Sequence, residues 1–286
     1  MKAVAVTAPG VIEIRDGIPQ PKPGPYQALV KTELACLCNA TDSELVKGRF
    51  PGMEQSFPFA LGHEDIGLVE EVGPKARNFR VGDRVIGGLV FEFGDSGMKT
   101  GWGGFCEYTL ANDHQAMVDD GVADEANGWV EVFEIQTVVD PDIRPEDAVL
   151  LSTWREVLGA FGDFQLKPGD DVLIIGGGPV GLSFVKLGRL FGLGWIGLVD
   201  SHEEKRARAR AFGADEVFEK EDPRLGNLAD LRGRKLDAVI DAVGRSEIID
   251  SALPLVKRGG SLCLYGFLAG QPLALDQVKA DYNFNL

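Results

Sequence analysis

Several kinds of residue and segment are scarce in this chain of 286 residues, and each scarcity argues against a class of protein. The four cysteines are scattered (Cys36, Cys38, Cys106 and Cys263) and do not form a disulfide framework, so a reducing, cytoplasmic location is expected. No apolar run is long enough for a transmembrane helix, and the first residues lack a basic segment followed by an apolar core, so no membrane partner is expected. Basic residues are in the minority, and the net charge of −15 argues against nucleic acid as a partner.

The chain does contain a glycine-rich motif directly after an apolar run of strand length. Residues 171–181 read DVLIIGGGPVG, and a helix is predicted over 182–191. Gly176 allows a tight turn, Gly178 lets the backbone approach a pyrophosphate, and Gly181 lets the helix pack closely on the strand. Pro179 and Val180 complete the predicted cofactor loop, and the free N–H groups of the helix would face the phosphates.

An acidic residue follows at the place where a dinucleotide site needs one. The next predicted strand, 195–199, ends at Asp200. A carboxylate there can accept hydrogen bonds from both ribose hydroxyls and would repel a 2′-phosphate, which favours NAD over NADP. A glycine triplet alone is equally well a glycine-rich turn, but the order of strand, glycines, helix, strand and acid favours dinucleotide binding.

The two halves of the chain differ in texture, and together they predict an α/β protein. In the second half, predicted strands (172–175, 195–199, 215–218, 236–241 and 261–265) alternate with helical stretches such as 203–212 and 248–256. This alternation is typical of a doubly wound parallel sheet. The first half has many short strands with frequent glycine and proline, which predicts a folded-over β barrel or sandwich. A helix is predicted over 146–161, and the domain boundary is placed between residues 147 and 148.

A cysteine and a histidine in the first half could bind a metal. Cys38 lies in the sequence LCNATD, and His63 is followed by Glu64 in the sequence LGHE. A thiolate, an imidazole and a carboxylate form a good ligand set for a catalytic zinc that keeps one position open. By themselves, the cysteine and the histidine fit equally well a buried thiol and a hydrogen-bonded ring.

The order of the motifs along the chain resembles the medium-chain zinc-dependent alcohol dehydrogenase family. The motifs that carry the resemblance are Cys-x-x-Thr-Asp at 38–42, Gly-His-Glu at 62–64, Gly-Asp-Arg-Val at 82–85, Gly-Gly-Phe-x-Glu-Tyr at 103–108 and the glycine motif at 176–181. They span nearly the whole chain and are most similar to the polyol, sugar and threonine dehydrogenase branch. The resemblance implies a GroES-like, β-rich catalytic domain over 1–147 and a Rossmann NAD-binding domain over 148–286. It also implies one catalytic zinc between the domains and hydride transfer from a secondary alcohol to NAD.

The resemblance further implies roles for individual residues around the metal. Cys38 and His63 would be zinc ligands, and Glu64 would be a ligand or an exchange partner for substrate or water. Asp42 would orient His63, as carboxylates beside metal-bound histidines commonly do. Thr41 would pass the alcohol proton outward, helped by Glu44, which stands where many relatives place a histidine.

The resemblance likewise assigns residues to the cofactor. Asp200, His202 and Lys205 match the positions around the adenosine ribose. The positions implied on the nicotinamide side are Val243, Gly266 and Phe267.

Two departures from the family pattern concern the ligand set. One residue more than in the commonest family motif separates Cys38 from Thr41, so Cys36 stays a rival ligand. Ser152 stands where relatives place a third ligand. Glu156, four residues further along the predicted helix, is the alternative ligand, and an ion pair of Glu156 with Arg155 or Lys186 is an equal interpretation.

Two further departures concern larger segments. Residues 87–106 contain a single cysteine, which predicts that there is no structural zinc. Family members continue past the position of Leu286 with a strand that often pairs across their dimer. The Rossmann domain is therefore expected to be incomplete at its C-terminal end, and a homo-oligomer is left open.

Two other functions stay compatible with the sequence. One is a zinc-free, NAD(P)H-dependent enone or quinone reductase of the same superfamily, which the uncertain third ligand keeps open. The other is a catalytically silent nucleotide-binding protein. Cys38 together with His63 and Glu64 argues against the reductase and favours an alcohol or polyol dehydrogenase.

Overall fold

The chain divides into two compact units. The computed structural model describes residues 1–52, 57–266, 275–276, 279 and 284–286. The first unit is Met1–Ser152 and the second is Thr153–Leu286. The boundary between residues 147 and 148 stays a prediction, and one predicted cofactor residue, Phe267, lies outside the described residues.

The first unit contains two four-stranded sheets and short helices. Its strands are β1 (Ala3–Ala8), β2 (Val11–Arg15), β3 (Gln27–Ala35), β4 (Phe59–Ala60), β5 (Asp65–Val72), β6 (Arg84–Ile86), β7 (Lys99–Thr100) and β8 (Tyr108–Asn112). The strand orders are β2-β1-β4-β7 and β6-β5-β3-β8. Three α-helices are described within it, α1 (Thr41–Val46), α2 (His114–Asp119) and α3 (Pro145–Ala148), together with 3₁₀ turns at Gly94–Ser96, Glu125–Asn127 and Glu131–Ile135.

Small apolar clusters fill this unit, as expected for a β-rich domain of short strands. Ala28 and Val30 of β3 pack with Val69 of β5 in one cluster, and Ala3 and Ala5 of β1 belong to another. Strand β2 differs from its neighbours because all of its residues are exposed, including Ile12 and Ile14. β2 is therefore an edge strand that contributes little to the core.

The second unit is a five-stranded parallel sheet with helices between its strands. The strands are β9 (Asp171–Ile175), β10 (Trp195–Val199), β11 (Glu216–Phe218), β12 (Leu236–Asp241) and β13 (Val256–Leu264), in the order β11-β10-β9-β12-β13. The helices are α4 (Leu151–Asp163), which starts at the end of the first unit, α5 (Pro179–Phe191), α6 (Glu203–Phe212), α7 (Leu228–Arg232) and α8 (Ser246–Ala252). The predicted combination of a β-rich domain with a doubly wound parallel sheet is confirmed.

The parallel sheet is covered on both faces, which explains its continuous apolar strands. Val172, Leu173 and Ile174 of β9 are all buried, although alternate side chains point to opposite faces. Val172 and Ile174 pack in one apolar cluster and Leu173 in a second one. None of the helices in the described part of the chain combines the length and the apolarity that a membrane crossing requires.

The helix predicted over 182–191 begins earlier, at Pro179, and two other predicted helices differ more from the structure. The helix predicted over 146–161 is two helices, α3 and α4, because the Leu150 amide bonds to the Asp147 carbonyl three residues back and closes α3 in a tighter turn. The helix predicted over 248–256 ends at Ala252, and a 3₁₀ turn follows at Leu253–Leu255. Pro254 in this turn has no N–H group for a continuing helix, and Val256 already begins β13.

Candidate metal centre and cofactor site

Cys38 lies in the loop between β3 and α1, and Asp42 on α1 fixes this loop. The backbone N–H of Cys38 donates to Oδ2 of Asp42 over 2.9 Å. The Asp42 side chain is completely buried, so its carboxylate needs such donors in place of water. Asp42 therefore ties the chain around Cys38 to the first turn of α1.

His63 and Glu64 are positioned by a close contact in the loop between β4 and β5. The preceding residue, Gly62, has a φ of 106°, and a Cβ there would lie 2.3 Å from Cδ1 of Phe105. The Phe105 amide donates to Leu61 O, and the Gly104 amide donates to Gly62 O. A side chain at Gly62 would disrupt this packing and move His63.

The donor atoms of Cys38, His63 and Glu64 converge. One ligand atom from each residue lies within 4.8 Å of the others. Among the described residues, these three form the group of His, Cys, Asp and Glu side chains that could hold a metal ion. Nδ1 of His63 lies 3.3 Å from Oδ1 of Asp42, and Nε2 lies 4.0 Å from Oε1 of Glu64. The Asp42 carboxylate thus contacts both of the first two predicted ligands: the backbone N–H of Cys38 and the imidazole ring of His63.

The contacts of His63 with this group favour a positive charge on its imidazole ring. Burial alone would lower the pKa of the imidazole, but its contacts with Asp42 and Cys38 outweigh burial and raise the pKa to about 10. A bound divalent cation would displace this proton and meet the same surroundings. The donor types also fit zinc, which accepts sulfur, nitrogen and oxygen ligands and in catalytic sites keeps one position open.

Cys36, the rival ligand, has different surroundings. Its thiol is packed against an apolar cluster that includes Ile66 and Val149, and burial first, then the charge of Glu64, raises its pKa. Its backbone N–H donates to the carbonyl of Glu64. Cys36 is not part of the converging group in the described residues.

The sequence motifs assign no role to Trp102, which contacts His63, or to Phe50, which contacts Trp102. The ring of Trp102 meets that of His63 edge-on at 5.3 Å between centroids, and the ring of Phe50 meets Trp102 at 5.6 Å. Trp102 has a φ of 68°, which is uncommon for a bulky residue. Its amide donates to Oγ1 of Thr100 and its carbonyl accepts from Val90. The run Gly-Trp-Gly-Gly at 101–104 is the signal in the sequence for this unusual turn.

Thr41 and Glu44, the predicted proton-transfer residues, both lie on α1. Thr41 begins the helix and is partly buried. Glu44 is buried, and its carboxylate accepts two hydrogen bonds from the Arg49 guanidinium and one from Lys47 Nζ, each at 2.9 Å. These hydrogen bonds, with Arg49 as the larger contributor, lower the pKa of Glu44.

In the second unit, the glycine motif forms the predicted turn between β9 and α5. A Cβ at Gly181 would lie 1.8 Å from the Gly176 carbonyl oxygen, so only glycine allows α5 to approach the strand this closely. Gly178 caps the helix, Pro179 occupies its first turn, and Val180 packs partly against the core. A Cβ at Gly178 would meet no atom within 4 Å, which leaves open space in front of the helix N-terminus. A phosphate could approach the backbone there.

Asp200 lies at the end of β10, beside this turn. Its Oδ2 accepts from the Gly177 amide at 2.7 Å, and its Oδ1 accepts from the His202 amide at 2.8 Å. The His202 ring and Lys205 Nζ lie 3.1 and 3.7 Å from the carboxylate. Burial alone would raise the pKa of Asp200, but these hydrogen bonds and Lys205 keep it below its usual value. Asp200 therefore stays ionised and also supports the glycine turn.

The remaining predicted residues lie at other strand ends of the second unit or on α4. Val243 follows β12 and Gly266 follows β13. Glu156 is exposed on α4, and its Oε2 lies 3.5 Å from the hydroxyl of Tyr265 as hydrogen-bond acceptor. Ser152 has a buried hydroxyl that finds no hydrogen-bond partner among the described residues. The third ligand therefore stays a prediction.

Comparison with known proteins agrees with both units. Residues 24–119 match the model of the alcohol dehydrogenase GroES-like domain, and residues 179–282 match that of the zinc-binding dehydrogenases. An alcohol dehydrogenase of Cupriavidus necator is 30% identical over 304 aligned residues, which cover 93% of this chain and 76% of that protein. The chain belongs to the medium-chain zinc-dependent alcohol dehydrogenase family. A second relative in this family, the sorbitol dehydrogenase of Bacillus subtilis, is 27% identical over 96% of this chain and 78% of its own.

A solved structure extends the comparison to cofactors of the zinc-dependent alcohol dehydrogenase family. A Sinorhizobium meliloti protein described as a zinc-binding dehydrogenase was solved with NADP bound. It is 26% identical to this chain, with a TM-score of 0.77 over 97% of this chain and 80% of its own. The resemblance to this family and the fold class predicted from the motifs are confirmed.

Proposed function

We propose that the chain is a zinc-dependent, NAD-linked dehydrogenase of secondary alcohols or polyols. The observation that carries the proposal is the convergence of the Cys38, His63 and Glu64 donor atoms within 4.8 Å, with Asp42 buried behind the first two. The names of the relatives, alcohol dehydrogenase and sorbitol dehydrogenase, support an alcohol or a polyol as the substrate class.

Asp200 supports NAD as the cofactor. An ionised carboxylate at this position would accept hydrogen bonds from the ribose hydroxyls and repel the 2′-phosphate of NADP. Its contacts with Gly177 and His202 fix its orientation. The relative that binds NADP belongs to the same family, so the preference is argued from Asp200 and not from family membership.

The roles of the residues follow from their contacts. A zinc ion bound by Cys38 and His63, with Glu64 as a third or exchanging ligand, would supply Lewis acidity that lowers the pKa of an alcohol hydroxyl. The nicotinamide would accept the hydride. Asp42 lies 3.3 Å from Nδ1 of His63, so Nε2 is the nitrogen that would face the metal, and Asp42 accepts a hydrogen bond from the backbone N–H of Cys38. Trp102 contacts His63, and Phe50 packs against Trp102.

The contacts of α1 suggest different tasks for Thr41 and Glu44. Thr41 has a hydroxyl that can accept a proton from one partner while it donates its own to another. Glu44 already accepts hydrogen bonds from Arg49 and Lys47 on both of its oxygens. We therefore assign the first step of proton release to Thr41, and we assign to Glu44 the task of holding Arg49 and Lys47 against α1.

The proposal is tested by measuring zinc content and activity together. Protein purified without chelator is expected to contain about one zinc per chain and to oxidise a secondary alcohol or polyol with NAD. Cys38→Ser and His63→Ala are expected to lose zinc and turnover while NADH affinity stays within about twofold, since the cofactor residues belong to the second unit. Cys36→Ser is the matched control, because this neighbouring thiol packs in an apolar cluster, and it should keep its zinc.

Each alternative function predicts a different result. A zinc-free protein that reduces an enone or a quinone would be a reductase of the same superfamily. A protein that binds NADH normally and turns over none of these substrates would be a silent nucleotide-binding protein. Full activity in both Cys38→Ser and His63→Ala would rule out the proposed metal centre.

A further inference from the structure

The order of the strands says where the two halves of a dinucleotide would lie. The strands lie side by side in the order β11-β10-β9-β12-β13. The glycine turn follows the central strand β9, and Asp200 follows its neighbour β10. Ligands of such sheets bind at the carboxyl ends of the strands. On the proposed function, the adenosine ribose contacts Asp200 and the diphosphate contacts the glycine turn. The nicotinamide half then extends across the ends of β12 and β13.

One buried side chain organises the end of β12. Asp241, the last residue of this strand, has no exposed surface. Its Oδ1 accepts from the Val243 amide at 3.0 Å, and its Oδ2 accepts from the Gly244 amide at 2.9 Å. The carboxylate thereby fixes the turn that follows the strand.

The backbone of the same residue fixes the end of β13. The Asp241 carbonyl accepts from the Tyr265 amide at 3.0 Å and from the Gly266 amide at 2.8 Å. The two strand ends are packed so closely that a Cβ at Gly266 would lie 2.1 Å from the Gly244 nitrogen. Four hydrogen bonds from two separate loops therefore meet on one residue.

The same turn also contacts the glycine motif. The Ala242 amide donates to the Ile175 carbonyl at 2.9 Å, and a Cβ at Gly176 would lie 2.8 Å from Cγ2 of Val243. A displacement of the Val243–Gly244 turn would therefore change the shape of the surface that the nicotinamide half would contact. Burial raises the pKa of Asp241 against the effect of the two N–H donors, so this arrangement is costly and needs both of its hydrogen bonds.

We propose that Asp241 is a positioning residue for the nicotinamide half of the cofactor, acting through the Val243–Gly244 turn and Gly266. The proposal rests on the proposed function as an NAD-linked enzyme and adds a residue to it. Asp241 contributes only its hydrogen bonds to the backbone and takes no part in hydride transfer.

The test compares two ligands that share the adenosine half. ADP-ribose contains the adenosine, the diphosphate and a ribose but lacks the nicotinamide, so NADH and ADP-ribose report on different parts of the site. In Asp241→Asn an amide NH₂ group would face one of the two backbone N–H donors. Calorimetric titration is expected to show NADH binding weakened about tenfold, with ADP-ribose affinity within about twofold of the wild type.

The control is a residue of β12, and the second variant changes the residue Gly266 that follows β13. Asp237→Asn removes a carboxylate at the opposite end of β12, where Asp237 accepts from the Asp171 amide, and it should bind both ligands like the wild type. Gly266→Ala pushes the Val243–Gly244 turn from the β13 side and should reproduce the selective loss of NADH affinity. If Asp241→Asn fails to give the wild-type circular dichroism spectrum, Gly266→Ala decides the question.

The outcomes separate this inference from the proposed function. Equal weakening of NADH and ADP-ribose would mean that Asp241 only stabilises the fold, and unchanged affinity for both would mean that the turn does not position the nicotinamide. Either result overturns the inference. A wild-type protein that binds neither ligand would instead overturn the NAD-linked function on which the inference rests.

Discussion

On the proposed function Asp200 has two tasks, because its carboxylate would select the cofactor and it also accepts a hydrogen bond from the Gly177 amide in the glycine turn. In Asp200→Asn the side chain keeps its shape but loses its charge, so repulsion of a 2′-phosphate should fall. We expect the preference for NADH over NADPH to decrease about tenfold or more, and NADH affinity itself to weaken, because one of the contacts to the Gly177 and His202 amides is lost.

Fluorescence titration with both reduced cofactors measures this preference. Glu204→Gln is the matched control, since it removes one exposed charge from the start of α6, close in sequence to Asp200. A cofactor preference that changes equally in the two variants would reflect net charge and would contradict the ribose assignment.

Glu44 gives a prediction about pH and stability. Arg49 and Lys47 lower the pKa of Glu44 in the folded protein, so their contacts stabilise the fold above the usual glutamate pKa of about 4.3. This contribution is lost as the pH falls through the lowered value. Glu44→Gln should therefore have a lower Tm than the wild type at pH 7, and the difference should narrow in acid.

Thermal unfolding from pH 7 down to about pH 3 checks this, with Glu131→Gln as a control at an exposed glutamate. If Glu44 were instead a proton-transfer residue, its substitution would lower kcat and leave the Tm unchanged.

At the scale of elements, the loop between β4 and β5 places His63 through a single permissive residue. Gly62→Ala combines a strained φ of 106° with a Cβ that would lie only 2.3 Å from Cδ1 of Phe105, so the loop must move. We expect a lower Tm and zinc affinity reduced about tenfold or more, because displacement of His63 would disturb the ligand geometry.

Gly82→Ala is the matched control for this prediction. Gly82 has a similar φ of 91°, but a Cβ there would meet nothing within 4 Å. It should lower stability by about 1–2 kcal/mol through the backbone alone and leave zinc binding intact. Equal zinc affinity in the two variants would show that the Phe105 contact does not position His63.

The elements of the second unit could be predicted well because their signals are local. The apolar run at β9, the glycine turn and the charged helix α6 are each recognisable from a few neighbouring residues, by their hydrophobic pattern or by their glycines. The predicted end of α8 was wrong, because the apolar run with helical spacing continues past Pro254 into the strand β13. Helix and strand signals overlap there, and only the sheet register of β13 separates them.

For the molecule as a whole, the sequence indicates the donors of the site better than their surroundings. Cys38, His63 and Glu64 are recognisable from motif order, whereas the edge-on contact of Trp102 with His63 depends on a turn with a positive φ. The hydrogen bonds from Arg49 to the Glu44 carboxylate depend on how the chain bends after α1, and no short motif encodes this bend. Contacts between residues distant in sequence or in irregular loops follow from packing, and packing is decided only when the whole core is assembled.

The exposed edge strand β2 has a consequence for how this protein must be handled in solution. In the part of the chain that the structure describes, no strand pairs with the outer edge of β2. This edge and the exposed side chains of Val11, Ile12 and Ile14 offer another copy a strand to pair with, and such pairing leads to aggregates. The ion pair of Glu13 with Arg15 and the net charge of −15 oppose this approach. Because salt shortens the reach of charge repulsion to about 10 Å at 0.1 M, colloidal stability should be greatest in dilute buffers well above the isoelectric point near 4.7.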